Sequence, residues 1–279
     1  MRINHNISSM ITQAASYRVD RDLNKSLERL STGLRINRAA DDAAGLSVSE
    51  QLRTQVTGMS MAKRNASDGV ALLNVAEGAC NEIEAMLQRM RELAVQSSND
   101  TLTSTERGYT DQEFQALMSE VDRITDATVQ SMLNGRLGSF GNPNSGASVL
   151  HIGPNSTTFD RITIAVGSPS SGALSIAGAS VTSQSVAEGA LVSLDVAISS
   201  VNQIRSDLGA YINRLEHAIN NLDNQHHNSQ AAESTIRDLD FAVETSDYTR
   251  NQILMQSSNA MLMQANLTPQ SVLLLIIGK

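Results

Sequence analysis

The residues best suited to metal binding or nucleophilic chemistry are five histidines, His5, His151, His217, His226 and His227, and one cysteine, Cys80. No two of the histidines stand four apart, the spacing that puts two ligands on one helix face, and no His-Glu-x-x-His occurs. His226 and His227 are adjacent, so on a helix their rings diverge. A lone cysteine excludes an internal disulfide framework and a Cys-rich zinc site, and Cys80 reads as a small apolar residue on a helix. Asp41-Asp42 invites comparison with paired catalytic carboxylates, but consecutive side chains on a helix point apart. Asp is also a favoured helix start, so a capping role is expected. Neither a Gly-x-Ser-x-Gly elbow nor a Walker-type phosphate loop is present. Asn-x-Ser/Thr triplets begin at Asn6, Asn65, Asn99, Asn155 and Asn266. They carry meaning only in a glycosylating compartment. The residues therefore point to no catalytic, cofactor or metal site, and a non-enzymatic protein is expected.

The elements that would position such residues point to a different task. The four prolines, Pro143, Pro154, Pro169 and Pro269, leave two long stretches free of helix breakers. Aromatic residues are only 3% of the chain, with no tryptophan. Without large rings to fill a globular core, thin helix-on-helix seams of Ala, Leu, Ile, Val and Met are the better fit. In the first stretch Ile3, Ile7, Met10, Ala14 and Tyr17 alternate steps of four and three. The pattern then slips and resumes at Leu23, Leu27, Leu30 and Leu34, which reads as a stutter, with Gly33 as a helix end. A second helix is expected over about 43–98 and a third after the N-cap candidates Thr103 to Glu106, with Phe114, Leu117, Val121 and Ile124 on one stripe. Leu191, Leu194, Ile198, Val201, Leu208, Ile212, Leu215, Ile219 and Leu222 form the strictest heptad run, interrupted by Arg205. A seam of this width needs a partner, most simply the 43–98 helix folding back. A last helix is expected over about 232–266.

The centre, about 135–189, is rich in Gly, Ser and Thr. Val149–Ile152 and Ile162–Val166 suggest a small hairpin there, and 167–185 reads as loop. The expected fold is mainly α: a long antiparallel coiled-coil bundle of N- and C-terminal helices with a small β-hairpin region in the middle. The net charge of −8 and the lack of a basic stripe exclude a nucleic-acid surface. The run Val272 to Ile277 is too short to span a bilayer, so no membrane insertion is expected. The start lacks the apolar stretch of a cleaved secretory signal. Amphipathic ends that need partners describe a self-assembling structural protein.

Four segments carry a family resemblance. Ser31 to Gln55 (STGLRINRAADDAAGLSVSEQLRTQ) and Leu87 to Gln96 (LQRMRELAVQ) resemble the N-terminal half of bacterial flagellin. Ala231 to Asp240 (AAESTIRDLD) and Gln264 to Val272 (QANLTPQSV) resemble its C-terminal half. Together the resemblance covers about 1–137 and 186–277. The start Ile3-Asn-His-Asn6 and His151-Ile-Gly153 are similar to spirochaete filament-core flagellins. Departures are Leu133-Asn134-Gly135 where the family usually has Phe-Asn-Gly, the apolar end from Leu273, and Cys80.

The resemblance implies a filament subunit exported unfolded through the flagellar type III apparatus and polymerised beneath a cap. It implies a terminal coiled coil (D0) of 1–34 plus 236–279, a linker over 35–56, and a D1 bundle over 57–235 with its β region at about 137–186. Outer D2 and D3 domains would be absent. The D0 assembly seam would comprise Ile3, Ile7, Met10, Leu23, Leu27, Leu30, Leu254, Met261 and Leu262. Arg35, Asn37, Arg38, Asp41 and Asp42 would serve the linker and subunit interface. Arg89, Leu93 and Glu113 match the surface read by the Toll-like flagellin receptor. Further implied partners are other copies of the chain, an export chaperone, the filament cap and hook-associated junction proteins. No cofactor is implied. The filament would be extracellular, or periplasmic as in spirochaetes. The competing role is a hook–filament junction protein.

Overall fold

The computed structural model describes residues 5–128 and 148–277, with side chains up to 267. Ile3, the Leu133–Gly135 segment and Pro143 lie outside the described residues. Five helices and one hairpin follow in order: α1 (Ile7–Thr32), α2 (Ala43–Ser97), α3 (Ser104–Ala127), β1 (Ser148–His151), β2 (Arg161–Ile164), α4 (Gln184–Arg237) and α5 (Phe241–Ile277). The chain divides into two compact units, 55–227 and 1–54 with 228–279.

In the 55–227 unit, α2 and α4 run antiparallel. Lys63 bridges Asp223 at 2.7 Å, Glu84 bridges Arg205, and Arg91 bridges Asp195 at 2.7 Å, so numbers rise on one helix as they fall on the other. The core between them holds Leu73, Ala76, Cys80, Ile83, Leu87, Met90 and Leu93 from α2, with Leu194, Ala197, Val201, Leu208 and Leu215 from α4. The interrupted heptad is thereby corrected. Ala187, Ala190, Leu194, Ala197, Val201, Ile204 and Leu208 form the buried stripe of α4, while Leu191, Ile198 and Ile212 are only half-buried. Ile204 takes the seam position, and Arg205 stands beside it on Glu84. Alanines complete the stripe because a small side chain lets two helices approach closely.

Thr103 caps α3: its hydroxyl accepts from Glu106 N, and the Glu106 carboxylate accepts from Thr103 N at 2.8 Å. α3 then returns along α2, with Arg89 on Glu113 at 2.9 Å and the Ser97 and Thr110 hydroxyls 2.6 Å apart. Its buried stripe is Phe114, Met118, Val121 and Thr125, with Leu117 and Ile124 half-buried. The hairpin pairs Ser148 with Ile164 and His151 with Arg161. It seats against α2 at Gly69, where a Cβ would fall 2.2 Å from Leu150 Cδ2, so a larger residue there would force the Leu150 side chain to shift. The Ser/Gly tract after the hairpin has no strand, yet it is packed. Val166, Leu174, Ile176 and Val181 are buried, and Asp122 and Asp111 of α3 accept from the backbone N–H of Ser171 and Val181 at 2.8 Å each.

In the other unit, α1 packs against α5. The expected single helix over 232–266 is two: α4 continues to Arg237, and α5 begins at Phe241. The break has a local cause. Arg35 N donates to Arg237 O at 2.7 Å and Leu239 N to Gly33 O at 3.1 Å, closing a small antiparallel bridge between Leu34 and Asp238. The Asp240 side chain then accepts from Ala242 N and Val243 N, starting α5. α5 also runs past Pro269, which removes one helix donor without ending the helix.

Candidate assembly surface

The face that α1 turns to α5 carries small polar residues in its first half and mostly large aliphatic ones in its second. Asn6 caps α1 by accepting from Ser9 N at 3.2 Å. Ser9, Thr12, Ser16, Val19, Leu23, Ser26 and Leu30 form the shielded face, with steps of three and four and no slip. The matching face of α5 is Glu244, Asn251, Met255, Ser258, Leu262 and Ala265. Hydrogen bonds knit the two faces antiparallel. Asn6 Nδ2 donates to Ala265 O at 2.9 Å, Ser9 Oγ to Asn266 Oδ1 at 2.8 Å, and Ser16 Oγ to Met255 Sδ at 3.7 Å. At the far end Arg29 reaches the buried Glu244 carboxylate at 3.4 Å.

Most of the large apolar side chains are left outside. Ile7, Met10, Ile11, Tyr17 and Leu27 of α1, with Phe241, Val243, Ile253, Leu254, Met261, Met263 and Leu267 of α5, are between 44% and 66% exposed. The expected stutter in one seam is therefore a crossing between two faces. Leu23, Leu30 and Leu262 belong to the shielded face, and Ile7, Met10, Leu27, Leu254 and Met261 belong to the outward one. The members that the sequence reading missed, Ile11 and Met263 among them, had a usable signal. No charged side chain occurs from Ile7 to Tyr17 or from Asn251 to Gly278. Each outward side chain, already about half covered, gains roughly half of the about 1.5–3 kcal/mol that full burial of an exposed one supplies.

The segment after α1 is tied within its own unit. Gly33 ends α1 in the left-handed conformation, with φ of +71°, and its N–H donates to Arg29 O. The Arg35 guanidinium donates to Ile236 O at 2.6 Å, and Asn37 Nδ2 to Thr32 Oγ1 at 2.8 Å. Arg38 bridges Glu28 at 2.9 Å, while Asp41 bridges Lys25 at 2.7 Å and accepts from Arg38 N and Asn37 N. The Lys25 hydrogen bond, reinforced by those backbone donors and the lysine charge, outweighs burial and holds the Asp41 carboxyl below its ordinary range. Asp42 accepts from Gly45 N at 2.9 Å, at the start of α2. Asp41 and Asp42 thus take separate partners, one an ammonium and one a helix start.

The three expected receptor positions separate. Arg89 and Glu113 are exposed and paired with each other, whereas Leu93 is 1% exposed and lies in the core. Leu93 packs in the core, so of the three positions only Arg89 and Glu113 are exposed. Cys80 is fully buried, and burial pushes its thiol up to about 12, against the opposing pull of Arg205. Among the described residues no three His, Cys, Asp or Glu side chains gather into a metal site, and no helix is long and apolar enough to cross a membrane.

The sequence comparisons identify the family to which a chain with these terminal helices belongs. Residues 3–135 match the bacterial flagellin N-terminal helical region, and residues 191–276 match the bacterial flagellin C-terminal helical region. The chain belongs to the flagellin family. It is 43% identical to a flagellin of Halalkalibacterium halodurans, over 99% of this chain and all of that protein. It is 41% identical to the flagellar filament 33 kDa core protein of Treponema phagedenis, again over 99% of this chain and all of that one. A flagellin of Bacillus subtilis is 41% identical with the same coverage. A crystal structure of Bacillus cereus flagellin aligns with a TM-score of 0.49 at 28% identity, over 57% of this chain and 88% of that one. Flagellins are structural filament proteins, so this chain is a structural filament subunit and not an enzyme.

Proposed function

We propose that this chain polymerises, through the outward apolar faces of α1 and α5, into the tube of a flagellar filament that serves motility. The observation that carries the proposal is the packing of the terminal pair, which leaves twelve large apolar side chains outside a mixed, mostly half-buried seam. A lone subunit gains little from closing such a pair, and neighbours gain much by covering it. On this reading 1–34 with 236–279 form the inner D0 layer, 35–56 the linker, and 57–235 the D1 layer. The division of the chain at 54/55 and 227/228 supports a two-layer subunit without outer domains.

The subunit is exported unfolded by the type III apparatus, with a chaperone shielding its apolar ends and a cap seating it at the tip. It meets hook-associated junction proteins at the filament base. Its relatives named above are flagellins and a filament core protein, which favours the filament subunit over the junction protein. The filament is external, with a periplasmic one as the alternative drawn from the spirochaete relative. Arg35, Asn37, Arg38, Asp41 and Asp42 stiffen the linker that sets the subunit interface. Recognition by the Toll-like flagellin receptor would rest on Arg89 and Glu113. Electron microscopy of the purified protein, seeded with sheared filament fragments, tests the central claim. Thin tubular filaments are expected, and their absence across salt and precipitant conditions sinks the reading.

A further inference from the structure

Eleven methionines are distributed along the chain, and the three most exposed among the described residues lie on the α1/α5 pair. Met59, Met90 and Met118 are buried in the 55–227 unit, at 4%, 0% and 8% exposure. Met10, Met261 and Met263 are 64%, 60% and 65% exposed on the α1/α5 pair. These three share one stretch of that pair. Met10 lies between Ser9 and Ser16, and Met261 and Met263 lie between the residues those serines bond, Asn266 and Met255. The stretch carries no charge on either helix. An interface built from it relies on apolar burial, with no ion pair to hold it when one side chain changes polarity.

We propose that Met10, Met261 and Met263 are an oxidative modification site that decides whether the free subunit can assemble. The proposal rests on the assembly role given above. The reactant is a peroxide. A thioether sulfur lone pair attacks one peroxide oxygen, the S–O bond forms as the O–O bond breaks, and the departing hydroxide takes a proton to leave as water. Sulfur loses two electrons and the peroxide gains them. The product sulfoxide is polar and a strong hydrogen-bond acceptor, which disfavours its burial in an apolar contact. Among the described residues the main competitor for the oxidant is Met61, 47% exposed, which lies outside the α1/α5 pair. Cys80 has no exposure, and a thiol raised to about 12 supplies almost no thiolate at neutral pH. Assembly would in turn cover the three sulfurs, so the finished filament resists what the free subunit does not. The same apolar chemistry makes the surface adhesive and makes it vulnerable.

The experiment exposes the purified full-length monomer to hydrogen peroxide, maps sulfoxides by peptide mass spectrometry, and measures seeded polymerisation by sedimentation. Met10, Met261 and Met263 should oxidise first and Met59, Met90 and Met118 last, with the half-exposed Met61 as an internal reference. The oxidised subunit should need at least about a tenfold higher concentration to polymerise, equivalent to about 1.4 kcal/mol. The triple variant M10L/M261L/M263L should polymerise equally well before and after peroxide. Unchanged polymerisation of the oxidised wild type overturns the proposal, as does equal loss in the triple variant. If that variant fails to polymerise untreated, the oxidised wild type is repaired with methionine sulfoxide reductases A and B. Recovered polymerisation supports the site, and lack of recovery rejects it. Failure of untreated wild-type protein to polymerise is a separate outcome, which rejects the assembly role itself.

Discussion

The α2/α4 pair and the α1/α5 pair share antiparallel direction and steps of three and four, yet they bury different chemistry. Between α2 and α4 the seam holds Leu, Ile, Val and Met at close to zero exposure, and the charged residues lie at its margins. Between α1 and α5 a mostly half-buried seam mixes Ser9, Thr12, Ser16, Ser26, Asn251 and Ser258 with Val19, Leu23, Leu30, Met255 and Leu262, and most of the bulky apolar residues lie outside. The first arrangement draws its stability from inside one subunit. The second leaves that stability to be supplied by others. Heptad spacing alone says that a helix has a partner; which stripe is polar says where the partner comes from.

The largest effect should come from deletion. A chain lacking 1–34 and 236–279 is expected to stay folded, by circular dichroism, and to lose seeded polymerisation entirely. Polymerisation by the truncated chain would erase the distinction between the pairs. Matched leucines sharpen it next. Leu87 is fully buried, so Leu87→Ala should cost about 2–5 kcal/mol in denaturant unfolding of the monomer. Leu27 is half-exposed, and Leu27→Ala should change the same measurement by less than about 0.5 kcal/mol while weakening polymerisation. Similar destabilisation by both would mean that α1 is cored like α2.

A smaller effect is expected at Gly33, whose φ of +71° favours glycine. Gly33→Ala should cost about 1–2 kcal/mol, visible as faster amide exchange in α1 and unchanged exchange in α3. The smallest concerns pH. Asp41 is held below its ordinary value of 3.8, so it adds stability above that value. The contribution is lost as pH falls through the folded value. Acid melting should therefore destabilise the Lys25–Asp41 region below about pH 4, and Asp41→Asn should flatten that dependence. An unchanged profile in the variant would show that the pair contributes nothing.

Much of the fold was legible because its signals are local. The α2 boundaries, the Thr103–Glu106 capping box, the Gly33 terminus and the hairpin all follow from residues a few positions apart. The phase of α4 was misread because large aliphatics were counted and alanines were not. Ala187, Ala190 and Ala197 complete the buried stripe, while Leu191 and Ile198 flank it. The shielded face of α1 escaped for a related reason: a row of serines carries no hydrophobic signal. Its role depends on Asn251, Met255 and Ser258 being opposite, which no local window contains. Leu93 shows the same limit at single-residue scale, since sharing a face with Arg89 does not settle which way that face turns.

The Arg205–Glu84 pair has one more consequence. A seam of repeating sevens is prone to register slips, because sliding α4 by one heptad, about 10 Å, again sets one apolar stripe against another. The slipped alignment would separate the guanidinium from its carboxylate and leave both poorly solvated beside the core. Of the three ion pairs that join the helices this is the least exposed, and it gives a repetitive zipper its zero mark.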